Sequence, residues 1–334
     1  MFTTTVHEEN GKISCKIESD CVYLDRIKKT QHMELGYACI NMELRKQGIY
    51  SGRTCRKATW EAKGLEYVGE LGLQNLRDLF QIIQWNERNG IKLFRIGSDI
   101  FPWSSEYEFS DLPQYRKACM LLNGIGHYAK KNGHRLSFHP GPFNILGSTK
   151  PEVVKRTIKE LNQHSEIFDL MGFEPSPYNK INIHVGATYG DKDTTLDRWI
   201  ENFHKLDDNT KKRITLENDD KESMYTIADL QRAHEQTGVP LVFDYHHHTC
   251  NPGDMSHELA LELAIQTWPE GITPVVHYSS SKRLNEDATA RVQAHADYIY
   301  ETVDTYGHDI DIMFESKKKE ISMLQYRNKN LIFS

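Results

Sequence analysis

The sequence predicts an α/β fold, a (β/α)₈ barrel, and three observations predict it. Eight short apolar runs punctuate the 334 residues, helical patterns lie between several of them, and nearly every run ends in a side chain able to do chemistry. Strand followed by helix, repeated, argues for a parallel sheet. In a closed barrel the C-terminal strand ends form one rim, where active sites are built. In an open doubly wound sheet, the main alternative, only ends near the topological switch point would meet. So many useful strand ends therefore favour the barrel.

The runs are LGYACIN (35–41), KLFRIG (92–97), RLSFHPG (135–141), INIHVG (181–186), RITLEND (213–219), PLVFDYHHH (240–248), TPVVHYS (273–279) and DIMFES (311–316). Each is short and rich in β-favouring residues. Between them, 73–90 carries apolar residues at helical spacing and closes on a glycine. The stretch 151–172 opens with proline, which suits a helix start, and ends at Gly172. The stretch 256–268 begins with Ser256, a good N-cap. Residues 1–33 are polar and are expected as an N-terminal extension, 34–320 as the barrel, and 321–334 as a C-terminal tail.

Composition bounds the class. Hydrophobic residues make up 38% and charged residues 26%, an ordinary globular balance. No run approaches the roughly 18 apolar residues of a membrane helix, and the first residues lack the features of a secretory signal. The 6 cysteines show no zinc-type spacing and read as reduced thiols in an intracellular compartment, cytoplasm or nucleus. A net charge of −6 disfavours nonspecific polyanion binding, but the placement of charge matters more than its sum.

The strand ends supply His139, His184, Glu217, Asp244, His246, His247, His248, His277 and Glu315. A lone strand-end histidine is usually a structural hydrogen-bonder. Six consecutive runs that each end in a ligand type point instead to divalent metal, because imidazole and carboxylate suit Zn²⁺ or Mn²⁺ and a carboxylate can bridge two ions. Clustered metals activate water, hold a phosphoryl oxygen and stabilise a leaving oxyanion. Phosphodiester hydrolysis fits, with sugar isomerisation as the rival chemistry.

The loops favour a nucleic acid. The stretch 41–60 carries Arg45, Lys46, Arg53, Arg56 and Lys57 against the single acid Glu43. SSSKR (279–283), with Lys282, and Lys317 to Lys319 add positive charge. Tyr37, Tyr50, Phe101, Trp103, Phe143 and Tyr189 make the rim aromatic. Basic loops position phosphates, and aromatic rings stack on bases or wedge between them. Packing is the competing role for each ring, above all Phe101 and Tyr189.

GYACIN, SGRTCRKAT, KGLEYVGELGLQNLRDL, WNERNGIKLFRIGSDIFPW, GHRLSFHPG, HVGATYGDK, LENDD, DYHHH and DIMFESKKKE, in this order, resemble the UV damage endonuclease family from about Leu35 to Glu320. The eukaryotic-type core is the nearer pattern. The resemblance implies a TIM barrel related to endonuclease IV, a divalent metal cluster, and damaged double-stranded DNA as partner. The metal is read as Mn²⁺, with Mg²⁺, Zn²⁺ or Co²⁺ as alternatives. The implied reaction is a nick on the 5′ side of a cyclobutane pyrimidine dimer or 6-4 photoproduct. It also implies metal ligation by His139, His184, Glu217, Asp244, His247, His277 and Glu315, with Asp99 as a further candidate. Glu217, His247 and Glu315 are the expected catalytic residues. Tyr37 falls near the family's damage-probing surface. Arg53, Arg56, Phe143, Tyr189, Lys282 and Lys317 are the other expected DNA contacts. A monomer with no membrane partner is expected.

Four departures stand out. HPGPF places Pro142 where the family has glutamine, so an amide that could probe an orphaned base is lost while Phe143 remains. Ser98 and Asp99 stand where some bacterial members have a ligating histidine. Val275 replaces a lysine that can be modified to a carbamate ligand. Ser105 and Glu106 replace a serine-histidine pair. Two rivals stay open: an abasic-site endonuclease of endonuclease IV type, and a barrel that binds damaged DNA without cutting it.

Overall fold

The structure, a computed structural model, describes residues 3–9, 12–18 and 33–331. They form two units, divided after Met33. In the first, strands β1 (Thr3–Glu9) and β2 (Lys12–Glu18) pair antiparallel. The expected extension is thus partly a hairpin. Asn10-Gly11 lies between the strands in sequence, a pair favoured in two-residue hairpin turns. The remainder of the expected extension lies outside the described residues.

The second unit is the barrel. Its strands are β3 (Leu35–Ala38), β4 (Leu93–Ile96), β5 (Arg135–Phe138), β6 (Ile181–Ile183), β7 (Ile214–Glu217), β8 (Leu241–Val242), β9 (Val275–Tyr278) and β10 (Asp311–Phe314). They pair in the order β8-β7-β6-β5-β4-β3-β10-β9, all parallel. The ring closes between β8 and β9 through a parallel bridge of Asp244 with His277 and the bond from His277 N to Phe243 O, 3.0 Å. All eight strands lie within the eight apolar runs.

Side chains of period two explain where the site sits. Val242, Val275 and Met313 belong to one buried apolar cluster with Ala38, Leu93 and Trp268. Two residues further along the same strand faces come Asp244, His277 and Glu315. At the opposite end, buried Arg135 donates to the buried Asp311 at Oδ2, 2.8 Å, and to Thr273 O at 2.7 Å. Chemistry thus stands at the C-terminal mouth and a structural ion pair at the N-terminal end, as barrels are built.

Helices cover the outside. Helix Pro151–Leu170 begins at its proline, and helix His257–Gln266 is capped by Ser256 Oγ on Leu259 N. Helix Lys57–Arg88 runs longer than the predicted 73–90 pattern and kinks at Gly64, where φ is 62°. Helix Tyr115–Lys131 passes so close to Met171 that a Cβ on Gly126 would stand 1.8 Å from a carbonyl oxygen. The stretch expected as a tail is helical instead. Helix Lys319–Leu331 buries Met323 and Tyr326, and Tyr326 packs edge-on to Phe314 of β10. That apolar face makes it the final helix of the barrel.

Candidate metal centre and active site

Glu217 ends β7 and is fully buried. Four imidazoles from four other strand ends surround it. His139 Nε2 and His277 Nδ1 each lie 3.1 Å from Glu217 Oε2, and His184 Nε2 lies 3.7 Å from it. His247 Nδ1 lies 3.3 Å from the other oxygen. Asn182 donates to Glu217 Oε2 and accepts from Thr215 Oγ1 at 2.8 Å, which fixes the carboxylate's orientation. Glu315 lies 3.2 Å from His277 Nδ1 and is clamped by Arg95.

The DYHHH segment is not a strand end alone. After β8 the chain turns into helix Tyr245–Cys250, and Asp244 caps it through Oδ1 on His247 N, 2.7 Å. Helical spacing then separates the three histidines. His247 faces Glu217, whereas His248 Nε2 lies 3.1 Å from Met255 O and packs on His257. His246 turns toward His295, with ring centroids 5.3 Å apart.

Three donor groups converge within metal-binding reach: His139, His184 and Glu217; His139, His277 and Glu315; Glu217, Asp244 and His247. Four buried atoms here, Glu217 Oε1, Asp244 Oδ2, His184 Nδ1 and His277 Nδ1, make no hydrogen bond. The histidine nitrogens lie near carboxylates without the alignment a hydrogen bond needs. Buried polar atoms left this way call for a partner, and mixed imidazole and carboxylate donors fit a divalent cation. The residues therefore fit a divalent cation.

The electrostatics agree. Burial alone would raise Glu217, but the charges of His277 and His184, with a hydrogen bond from His139, hold it well below the usual carboxylate range. Burial pushes Asp244 up to about 7, with Glu217 and Glu315 adding and His247 opposing. Burial also lowers His184 and His247, yet the facing carboxylates outweigh it and raise them to about 10 and about 9. Protonated His184 and His247 offset the carboxylates here, and bound cations would take the place of those protons.

Several expected contacts stand elsewhere. Asp99 is exposed and joins none of the donor groups found among the described residues. Tyr37 is fully buried, its hydroxyl donating to Asn86 Oδ1 at 2.7 Å, so it cannot meet DNA. Arg53 is not a free phosphate contact. It pairs with Asp78 at 2.6 Å, donates to Gly48 O and stacks over Tyr50, so it staples its own loop. Phe101 is core, packed on Phe109. Arg56, Phe143, Tyr189 and Lys317 are exposed, and Lys282 is half-buried. A cavity of about 250 Å³ opens beside the cluster, walled by Pro140, Pro142, His184, Asp219, Lys221 and His247.

Five residues escaped the sequence reading. Asn182 stands two before His184 and shares its inward face, a signal that period-two reading could have caught. Asp219 lies 3.3 Å from His184 Nδ1 and belongs to the LEND run already singled out. Arg95 lies inside the KLFRIG run, where its guanidinium clamps Glu315. Lys180, just ahead of β6, is fully buried with Nζ 3.0 Å from His277 Nε2. The lysine missing at Val275 therefore has a neighbour of the same type supplied by another strand. His295 lies on an irregular loop, 4.0 Å from Glu315 Oε2, where no periodicity could announce it.

The family described as UV-endonuclease UvdE matches residues 33–332. A UV-damage endonuclease of Schizosaccharomyces pombe is 35% identical over 87% of this chain, which spans only 49% of that protein. A UV DNA damage endonuclease of Bacillus thuringiensis subsp. konkukian is 37% identical, covering 76% of this chain and 80% of its own. Among solved structures, the crystal structure of SacUVDE shares 35% identity with a TM-score of 0.77, over 88% of this chain and 96% of that one. Endonuclease IV from Thermus thermophilus, at 12% identity, 75% and 93% coverage and a TM-score of 0.51, shares the fold. The family match over the whole barrel, joined to the donor cluster at its mouth, places the chain in the UV-endonuclease UvdE family.

Proposed function

We propose that this UV-damage endonuclease hydrolyses one phosphodiester bond of duplex DNA immediately 5′ of a cyclobutane pyrimidine dimer or 6-4 photoproduct. The observation that carries the reading is the gathering of six strand-end side chains around buried Glu217, with donor atoms left unpaired. His139, His184, Glu217, Asp244, His247, His277 and Glu315 would hold a divalent cluster, read as Mn²⁺, with Glu217 bridging. Such ions, when bound, make water nucleophilic at neutral pH and neutralise charge on the phosphoryl oxygens.

The chain's own residues supply the rest. Asn182 and Arg95 fix Glu217 and Glu315, so the donor set is preorganised. The water oxygen bonds to phosphorus, the P–O3′ bond breaks, and 3′-hydroxyl and 5′-phosphate ends result. For the phosphate to reach the barrel mouth, the duplex must bend and the lesion must leave the stack. Damaged bases stack poorly, which lowers that cost of a few kcal/mol and gives selectivity without reading sequence. Exposed Phe143 and Tyr189 are suited to stacking, and Arg56, Lys282 and Lys317 to phosphates. With Pro142 beside it, Phe143 works through its ring face alone. The protein acts as a monomer inside the cell.

Three end-labelled duplexes test this in Mn²⁺: one with a single thymine dimer, one with an abasic site, one undamaged. The expected result is cutting of the dimer duplex and sparing of the undamaged one. Cutting of the abasic duplex alone would move the chain to the endonuclease IV reading. Binding without any cutting would make it a damage binder.

A further inference from the structure

Among the described residues, the two most exposed large apolar side chains are Leu284, at 80%, and Phe143, at 79%. The next, Met120, sits on the outer helix Tyr115–Lys131. Phe143 follows β5 and Leu284 follows β9. Around the closed ring these strands are four steps apart by either route, through β4, β3 and β10 or through β6, β7 and β8. The two side chains therefore stand on opposite sides of the mouth, with the Glu217 cluster between them.

An isolated exposed leucine needs no explanation in general, but this one is held out on a fixed turn. Ser281 Oγ accepts from Leu284 N at 3.4 Å. Asn285 Nδ2 donates to Ser281 O and to Glu301 Oε1. Lys282 N donates to Ala294 O at 2.8 Å, and Ser281 bridges His295, which itself faces Glu315. The turn is tied to the metal centre by one residue pair. Its charges are sorted. Glu286 accepts from Asp297 N at 2.6 Å and from Tyr300 at 3.0 Å, and Asp287 accepts from Thr289. The acids thus brace the loop, while Lys282 and Arg283 adjoin Leu284.

We propose that Leu284 is a second apolar wedge of the DNA-binding face, meeting the duplex across the scissile phosphate from Phe143, with Lys282 and Arg283 on the neighbouring phosphates. This rests on the reading of the rim as a DNA-binding face. The occupant is the duplex flanking the lesion, because cations beside an apolar tip match phosphates beside a groove or an opened step. An apolar wedge stabilises the bent duplex, so it acts on binding and unstacking rather than on the bond broken.

The test compares wild type with Leu284→Ala and Leu284→Met on the thymine-dimer duplex. Anisotropy reads binding, nicking reads kcat and KM, and 2-aminopurine flanking the dimer reads unstacking. Leu284→Ala should weaken binding and raise KM about tenfold, because less apolar surface leaves water when the duplex docks. It should also mute the 2-aminopurine rise and leave kcat within about twofold, and Leu284→Met should restore most of the loss. An exposed position keeps the fold, which unchanged metal titration would check. Leu284→Ala that binds, unstacks and nicks like wild type overturns the wedge alone. A wild type that neither binds nor nicks the dimer duplex overturns the wedge and the DNA reading together. A wild-type dimer in light scattering that Leu284→Ala makes monomeric would assign the side chain to self-association and overturn the wedge.

Discussion

Lys180 and His277 meet in the interior beside the Glu217 cluster, Nζ to Nε2 at 3.0 Å, both fully buried. His277 Nδ1 faces Glu217 and Glu315, so the two ring nitrogens serve different neighbours. A partner behind a ligating imidazole sets its orientation. Lys180→Met keeps the chain length and removes that partner. Metal affinity should fall about 10- to 100-fold, read by metal titration. Unchanged affinity would reduce Lys180 to a space filler.

Glu217→Gln tests the hub. An amide cannot bridge two cations as a carboxylate can, and it presents an N–H to the imidazoles. Nicking should fall by about 10²-fold or more, while anisotropy on the dimer duplex stays near wild type. Nicking that survives would move the bridging role elsewhere.

Metal loading should release protons. Without metal, His184 at about 10 and His247 at about 9 carry protons near neutral pH, and a protonated imidazole cannot ligate. Raising pH through these values frees both rings. Lowering it through about 7 protonates Asp244 as well. Apparent affinity therefore climbs with pH. Calorimetry in two buffers of different ionisation enthalpy should show heats that differ. Equal heats would contradict the charged state assigned to these histidines.

The 41–60 loop separates structural from functional arginine. Arg53→Ala leaves buried Asp78 without its guanidinium and should cost about 3 kcal/mol, seen as a lower urea midpoint. Arg56→Ala, at an exposed site, should leave stability within about 0.5 kcal/mol and weaken DNA binding with a shallower salt dependence. Equal stability of the two variants would contradict the staple.

The barrel was legible because short apolar runs carry its strands, and nearly every one ended in a residue out of place in a core. The donor side chains gathered around Glu217 lie in the same runs. What stayed hidden has a common cause: side-chain direction. Tyr37 and Arg53 have the composition of DNA contacts, but their hydroxyl and guanidinium find partners inside the protein, on Asn86 and Asp78. Three adjacent histidines read alike until Asp244 starts a helix and sends only His247 to the cluster. Helix Lys319–Leu331 looked like a tail because its polar face dominates the composition, while Met323 and Tyr326 do the packing.

If the cluster around Glu217 cuts DNA beside a photoproduct, cutting must depend on both the metal and the lesion. The direct measurement strips the protein with EDTA, removes the chelator, and follows an end-labelled thymine-dimer duplex at single-nucleotide resolution with and without Mn²⁺. The stripped sample should leave the duplex uncut. On adding Mn²⁺ one nick should appear immediately 5′ of the dimer, leaving a 3′-hydroxyl that a polymerase extends. Cutting that persists without metal, or that falls equally on the undamaged strand, would contradict that dependence.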